Sequence, residues 1–143
     1  MSLRVEDCIF FMLARAQQAG ARYWTSCLTE LNLTAVQAMV INFLGQEDTT
    51  TARAVSDRTG LDAATLTGVL DRLETSGWIE RRRHPSDRRA IHICLTQAGR
   101  EMVPRIREKM AQANQDFLAK LSAKEQREFR RLLGIVRKGS SAA

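Results

Sequence analysis

The sequence has no long apolar segment and few of the residues that build disulfides or metal sites. Its 143 residues include three cysteines, two histidines and one tyrosine. No apolar run reaches the roughly 18 residues that a membrane span needs. The short apolar stretch at 8–14 follows two acidic residues, which is not typical of a signal peptide. Because the cysteines form no Cys-x-x-Cys pair, we expect a reduced, cytoplasmic chain rather than a disulfide framework.

Common catalytic patterns are also missing from the sequence. It holds no glycine-rich phosphate loop, no His-Glu-x-x-His and no nucleophile elbow. His92 and Cys94 lie two residues apart on a predicted strand, and Asp87 is near them in sequence. A zinc site needs three or four well-placed ligands, and no third ligand lies on a matched element. We therefore expect no enzyme activity, no metal and no cofactor.

The most informative segment is an arginine-rich stretch after residue 77. Residues 81–99 carry five arginines and one acidic side chain, grouped around a predicted tight turn at 84–87. Apolar residues then alternate with others over 90–95, which is the two-residue period of a half-buried strand. The pattern predicts a β-hairpin whose tip presents Arg81, Arg82, Arg83, Arg88 and Arg89. Close-set like charges favour a polyanion such as the DNA backbone, although a solvated basic turn would have the same sequence pattern.

A helix-turn-helix is predicted immediately before this hairpin. Gly60 suits a helix C-terminus, where a left-handed backbone is needed, and Asp62 suits the N-cap of the next helix. That second helix should run from about Ala63 to Thr75. Its polar face has short or hydrogen-bonding side chains that would let it enter a major groove: Ala63, Ala64, Thr65, Thr67, Gly68, Asp71 and Arg72. A helix-turn-helix followed by a basic hairpin indicates a winged helix.

These segments resemble the MarR (multiple antibiotic resistance regulator) family. Residues 87–100 are similar to the wing signature of that family, Asp-x-Arg followed by alternating apolar residues and Leu-Thr-x-x-Gly. The segments Leu33-Thr34 with Gln37, Leu66-Thr67, and Leu-x-x-Leu-Glu-x-x-Gly-Trp-Ile at 70–79 fit in the expected order, so the resemblance covers about residues 6–138. It implies a homodimeric transcriptional regulator of double-stranded DNA, often a repressor released by a small ligand or by oxidation.

The resemblance also implies roles for single residues. Arg89 matches the second arginine of the wing signature, which enters the minor groove. Asp87 would orient a neighbouring arginine or simply shape the turn. On the recognition helix, the small or hydroxyl-bearing residues Ala63, Ala64, Thr65, Thr67 and Gly68 should face base edges, and Arg72 should lie nearer the DNA backbone. With one recognition helix from each subunit, the operator should be an inverted repeat.

The remaining segments are predicted to be helical and to carry large apolar faces. Capping boxes at Thr34–Gln37 and Ser122–Glu125, and a capping Thr96, mark helix starts. We expect a mainly α fold with a small β-wing, divided into an N-terminal dimerisation helix (1–33), a winged helix-turn-helix (34–99) and C-terminal dimerisation helices (100–143). The apolar faces of the terminal helices would pack against a second copy of the chain, or against one another within one subunit.

The family resemblance also implies an effector site between the dimerisation helices and the winged helix. A small aromatic or phenolic ligand would suit it. Each of the conceivable lining residues is more typical of ordinary core or surface: Phe10, Phe11, Arg15, Trp24, Met39 and Phe43.

Cys8 is a candidate redox sensor, because some members of the family sense peroxides through a cysteine near the start of the first helix. However, Met12 and Leu13 stand where a supporting tyrosine would be wanted, and no basic residue is adjacent to Cys8 in sequence. A non-covalent ligand is therefore the favoured effector. Two other functions fit the same sequence: a winged helix that docks on an acidic protein, and an architectural DNA binder without sequence preference.

Overall fold

The computed structural model describes residues 3–87 and 89–139. Within this part of the chain, six α-helices and a small antiparallel sheet confirm the predicted mainly α fold with a β-wing. None of the helices in these residues is long and apolar enough to cross a membrane. In chain order the elements are α1 (Ile9–Cys27), α2 (Ala35–Leu44), β1 (Thr50–Thr51), α3 (Ala52–Thr59), α4 (Ala63–Thr75), β2 (Ile79–Arg83), β3 (Ile91–Leu95), α5 (Gln97–Phe117) and α6 (Ala123–Gly139).

Side-chain caps define several helix starts. The Thr34 hydroxyl accepts from the Gln37 backbone N–H at 3.2 Å, and the Gln37 side chain accepts from the Thr34 N–H at 2.9 Å. Ser122 and Glu125 form the same reciprocal pair at the start of α6. Each pair satisfies two amides that have no partner within the helix. Both capping boxes predicted from the sequence are therefore confirmed.

The helix-turn-helix consists of α3 and α4. Gly60 ends α3 with a positive φ of 75°, which is the left-handed conformation expected of a glycine after a helix. Asp62 caps α4 by accepting from the Thr65 N–H at 2.8 Å. Helix α4 has the predicted bounds, and its apolar stripe is buried as predicted: Leu66, Val69, Leu70 and Leu73.

The sheet has the strand order β1-β3-β2. The predicted hairpin is formed by β2 and β3, with Arg83 opposite Ile91 and Ile79 opposite Leu95. The predicted tight turn at 84–87 is wrong. The strands separate after the pair of Arg83 and Ile91, so residues 84–90 form the tip, and the three arginines at 81–83 lie on β2 itself. The reason is local bonding: the His84 N–H donates to the Ala90 carbonyl at 3.0 Å, which closes a wider loop.

The hydrophobic core lies under the winged helix. Its largest fully buried side chains come from α2, α4, the sheet, α5 and the turn after α1: Leu28, Val40, Ile41, Leu66, Leu70, Leu73, Ile79, Ile93 and Ile106. In contrast, neither α1 nor α6 has a buried residue in the single chain. The apolar face of α6, formed by Phe129, Leu132, Leu133 and Val136, is 40% to 52% exposed. The predicted domain bounds stay a prediction.

Candidate nucleic-acid interface

The candidate interface begins with the solvent-facing side of α4, opposite its buried stripe. Ala63, Ala64, Thr65, Thr67 and Arg72 are all exposed there, and Gly68 is half-exposed. The six recognition-helix residues predicted from the sequence therefore share one accessible face. Arg72 forms no hydrogen bond or ion pair with another described side chain, so its guanidinium is available to a partner.

The two threonines on this face already use their hydroxyl protons. Thr65 Oγ1 lies 2.9 Å from Asp62 Oδ2, and Thr67 Oγ1 lies 2.8 Å from the Ala63 carbonyl oxygen. A carbonyl or an ionised carboxylate can only accept, so both hydroxyls donate. The Thr65 backbone N–H, and then the Thr65 hydroxyl, lower the pKa of Asp62 below its ordinary value. Asp62 is therefore ionised at neutral pH, and each threonine oxygen is left as an acceptor.

Gly68 lies within α4, where glycine is unfavourable for helix stability. A Cβ placed on it would meet nothing within 4 Å. Its lack of a side chain is thus not required by packing inside the protein, unlike that of Gly99, where a Cβ would lie 2.1 Å from the Trp78 carbonyl oxygen. The open space above Gly68 belongs to the same exposed face as the threonines.

The wing follows α4 and is formed by β2, β3 and the loop at 84–90. Asp87 shapes this loop: its carboxylate accepts from the Arg89 backbone N–H at 2.9 Å, and its carbonyl accepts from the Ala90 N–H at 3.1 Å. The structure thus gives Asp87 the turn chemistry that was one of its two predicted roles. The side chains of Arg83 and Arg89 are exposed and form no ion pair within the described chain, whereas Arg82 pairs with Glu80. Arg88 lies outside the described residues.

Arg81 differs from the other wing arginines because it joins the wing to α4. Its guanidinium bonds Asp71 at 2.8 Å and Glu74 at 2.9 Å, and its backbone N–H donates to Glu74 at 3.2 Å. The side chain is only 26% exposed. Burial lowers the pKa of Arg81, but the hydrogen bonds and charges of the two carboxylates outweigh it and raise that pKa above its ordinary value. In the free chain Arg81 therefore fixes β2 against the recognition helix.

Two histidines meet where the strands of the wing enter its tip. The rings of His84 and His92 lie 4.6 Å apart, and Ser86 Oγ is 2.8 Å from His84 Nδ1. Both rings are half-buried. His84 thus supports the wing loop through its contacts with Ser86 and His92.

A junction at Thr96 connects the end of α4, the wing and α5. The Thr96 hydroxyl donates to the Gly77 carbonyl at 2.6 Å and accepts from the Gly99 N–H at 3.1 Å, while its backbone N–H donates to the Trp78 carbonyl at 3.1 Å. Gly99 packs directly against Trp78. The first turn of α5 is therefore fastened to the segment between α4 and β2.

The candidate effector cleft lies between α1, α2, α5 and the turn after α3. Its volume is about 450 Å³, and its lining includes Trp24, Met39, Leu61 and Met110. A second cleft of about 420 Å³ also includes Trp24 and lies between α1, α5 and α6. Gln17 and Asn114 line both clefts.

The structure brings together two of the six predicted lining residues, Trp24 and Met39. The other four line neither cleft in the single chain. Phe10 and Phe11 are exposed, Arg15 bonds Gln18 on the surface, and Phe43 lies beneath the guanidinium of Arg58 at 4.9 Å.

The three cysteines are free thiols in different environments. Cys8 is half-buried just before α1, and Cys94 is buried in β3. The single tyrosine, Tyr23, lies beside Cys27 rather than Cys8. Partial burial and then the neighbouring Cys27, with which Tyr23 shares a hydrogen bond, raise the pKa of Tyr23. The redox role of Cys8 stays a prediction.

Comparison with known proteins decides the family. The model described as MarR family matches residues 31–90. The chain is 30% identical over 136 residues to the HTH-type transcriptional regulator MgrA of Staphylococcus aureus, covering 92% of this chain and 89% of that protein. The chain belongs to the MarR family. Some curated MarR-family relatives are matched over less of their length: 66% for the Bacillus subtilis organic hydroperoxide resistance transcriptional regulator and 47% for PecS of Dickeya dadantii.

Solved MarR-family structures have the same fold. The Streptomyces coelicolor regulator PcaV in complex with its natural ligand is 31% identical, with a TM-score of 0.85 and coverage of 99% of this chain and 98% of that one. A cysteine-to-serine mutant of Escherichia coli MarR complexed with operator DNA is 26% identical, with a TM-score of 0.84 and coverage of 94% and 99%.

Two features of the interface were missed by sequence reasoning. The contact of Arg81 with Asp71 and Glu74 had a weak signal, because two carboxylates three residues apart share a helix face and an arginine follows on the next strand. The hydrogen bonds of the threonine hydroxyls had a clearer signal in the sequence, because a threonine within a helix commonly donates to the carbonyl four residues earlier.

Proposed function

We propose that this protein is a homodimeric, site-specific transcriptional regulator that binds double-stranded DNA and acts as a ligand-responsive repressor. The observation that carries the proposal is the adjacency of an exposed recognition face on α4 and an arginine-bearing wing. The operator complex of E. coli MarR, which has the same fold, supports this assignment.

In the proposed complex, Ala63, Ala64, Thr65, Thr67 and Gly68 meet base edges in the major groove. Arg72 lies nearer the DNA backbone. Arg89 enters the minor groove, where a narrow A·T-rich segment concentrates negative potential. Arg82, Arg83 and Arg88 neutralise phosphates. Arg81 acts as a positioning residue, because its guanidinium is bound to α4 and holds the wing at a fixed angle to it.

The proposed dimer uses the terminal helices. Packing within one subunit leaves the apolar face of α6 40% to 52% exposed, which supports a second copy as its partner. Two recognition helices related by a two-fold axis would bind half-sites about 10 bp apart in an inverted repeat. Deletion of residues 122–143 should give a monomer in sedimentation and weaken operator binding. A truncated chain that stays dimeric and binds normally would contradict this assignment.

The proposed ligand site is the cleft that contains Trp24 and Met39. It touches α1, α2 and α5, so an occupant would contact both the dimerisation helices and the winged helix. The complex of PcaV with its natural ligand supports a ligand-responsive regulator, and the mostly apolar lining of the cleft favours an aromatic or phenolic compound. In a thermal-shift screen of such compounds, a true effector should raise the Tm and weaken operator binding. Replacement of Met39 by Arg should abolish both responses, whereas Phe10→Ala, outside the cleft, should preserve them.

The experiment that tests the function is a DNA-binding titration of the full-length protein. A duplex from the region upstream of its own gene is compared with a shuffled duplex between about 50 and 200 mM salt. Specific binding should be at least about 1,000-fold tighter than binding to the shuffled duplex. Binding should also weaken steeply with salt, because phosphate contacts release counterions. Equal affinity for both duplexes would indicate an architectural binder, and no salt-dependent binding would indicate a protein adaptor; either result refutes the proposal.

A further inference from the structure

The side chains in the first two turns of α4 have an unusual chemical uniformity. The exposed groups there are the methyls of Ala63, Ala64, Thr65 and Thr67 and the two threonine oxygens. Both hydroxyl protons are held within the protein, by Asp62 and by the Ala63 carbonyl. These side chains therefore present methyl groups and hydrogen-bond acceptors but no free donor.

Two of the backbone amides at the start of α4 are also engaged within the protein. Asp62 accepts from the Thr65 N–H at 2.8 Å, and its carboxylate also interacts with the Ala64 N–H. The carboxylate itself is a further acceptor and carries a negative charge. The donor side chain on this face is Arg72, which lies in the last turn of the helix.

The edges of the bases in the major groove differ in what they offer to such a surface. Adenine has a donor at N6, cytosine has one at N4, and thymine has a 5-methyl group, whereas guanine offers only the acceptors N7 and O6. An acceptor cannot bond an acceptor, so guanine has no hydrogen-bonding partner among these side chains. An A·T pair matches both properties of the surface at once, because it combines a donor with a methyl group.

We propose that the first two turns of α4 recognise A·T pairs, through threonine oxygens that accept from adenine N6 and methyl groups that contact thymine, and that any guanine contact from an α4 side chain is made by Arg72, from its position nearer the DNA backbone. This proposal rests on the proposed function. For a threonine to donate to guanine instead, its bond to Asp62 or to the Ala63 carbonyl would first have to break. The preference is therefore built into the helix before DNA arrives.

The first test is selection of binding sites from randomised duplexes by the full-length protein, followed by atom-level changes in the selected half-site. Each thymine is replaced in turn by uracil, which lacks the 5-methyl group. Substitution at the A·T pairs under α4 should weaken binding by about three- to five-fold, as expected for one buried methyl. At pairs under α4, replacement of guanine by 7-deazaguanine, which lacks N7, should weaken binding of the parent only where Arg72 contacts the guanine. At those pairs the same replacement should cause no further loss of binding in Arg72→Ala.

The second test uses a matched pair of variants. Thr67→Val keeps the shape and one methyl position but removes the oxygen. Thr75→Val makes the same change where the hydroxyl also bonds the carbonyl four residues earlier, at 2.9 Å from Asp71, but at the opposite end of α4. The base to be replaced is the adenine that the Thr67 oxygen is proposed to contact. For the parent and for Thr75→Val, replacing this adenine by purine, which lacks the N6 amino group, should weaken binding by about three- to ten-fold. Thr67→Val should show no such loss.

The outcomes separate this inference from the function on which it rests. If a defined half-site is selected but uracil substitution has no effect, or if 7-deazaguanine weakens binding even in Arg72→Ala, the A·T assignment is wrong while the regulator remains. If no defined site is selected, the proposed function fails and the inference fails with it. Equal loss on adenine-to-purine replacement in Thr67→Val and the parent would also overturn the role of the threonine oxygen.

Discussion

Replacement of Gly68 by alanine should stabilise the protein and weaken its binding to the operator. Gly68 has helical neighbours on both sides in α4, and an added Cβ would meet no atom within 4 Å. The change therefore removes the conformational cost of a mid-helix glycine without creating a clash, for a gain of about 1 kcal/mol. For a protein of this size, that gain corresponds to a rise in Tm of about 2–4 °C.

The effect on DNA binding has the opposite sign because the space above Gly68 faces the proposed major-groove surface. A methyl group there would hold α4 away from the base edges and lengthen the contacts made by its neighbours. We expect a loss of about 1–2 kcal/mol in operator affinity, which is roughly five- to thirty-fold. Binding to non-specific duplex and its dependence on salt should change little, because the phosphate contacts of the wing remain.

The assay combines calorimetry at a fixed protein concentration with fluorescence anisotropy on the operator. The fixed concentration matters because the Tm of a dimer depends on it. Gly134→Ala is the matched control, since Gly134 also lies within a helix with no atom near its missing Cβ, but in α6. Gly134→Ala should leave operator affinity unchanged, provided that sedimentation shows a normal dimer. A Gly68→Ala protein that is more stable and binds the operator as tightly as the parent would refute close approach of DNA at this position.

Three further predictions concern the wing and the start of α4. Arg89→Ala should weaken operator binding by about 1–3 kcal/mol and leave dimerisation in sedimentation intact; unchanged affinity at moderate salt would contradict the minor-groove role. Arg81→Met should lose about 1–2 kcal/mol of stability to urea and also weaken operator binding, whereas Arg82→Met should alter only affinity; equal stability losses would contradict the positioning role. Because hydrogen bonds lower the pKa of Asp62 in the fold, its stabilising contribution is complete above the ordinary aspartate pKa and is lost as the pH falls through the lowered value. Asp62→Asn should therefore reduce the acid sensitivity of the urea midpoint between about pH 5 and 2, and an unchanged pH profile would show that the cap contributes nothing.

Features set by short stretches of chain were predictable from the sequence. The bounds of α4, the left-handed Gly60 and the capping boxes each depend on residues within about four positions of one another, so their chemistry is visible locally. The buried stripe of α4 follows from helical periodicity alone.

Features that depend on distant pairing were not predictable in the same way. Strand β1 has only two residues, Thr50 and Thr51, and forms because β3 lies beside it; two residues carry no period. The wing tip was predicted too short because its length is set by the register of Arg83 with Ile91, which no local turn signal fixes. Likewise, Arg81 was grouped with the other wing arginines, since its contact with α4 depends on how the strand leaves the helix.

The junction at Thr96 gives α5 a mechanical role. Helix α5 has 21 residues and is about 32 Å long at a rise of about 1.5 Å per residue. Because its first turn is fastened to the end of α4, we expect a tilt of α5 to carry the recognition helix with it. If α5 tilted by about 6° about its C-terminal end, its N-terminal end, next to Thr96, would move by about 3.4 Å. That distance is roughly the rise of one base pair. In a dimer held by its terminal helices, a few degrees at the subunit contact would thus put both recognition helices out of phase with the DNA helix, while every base-contacting side chain kept its own conformation.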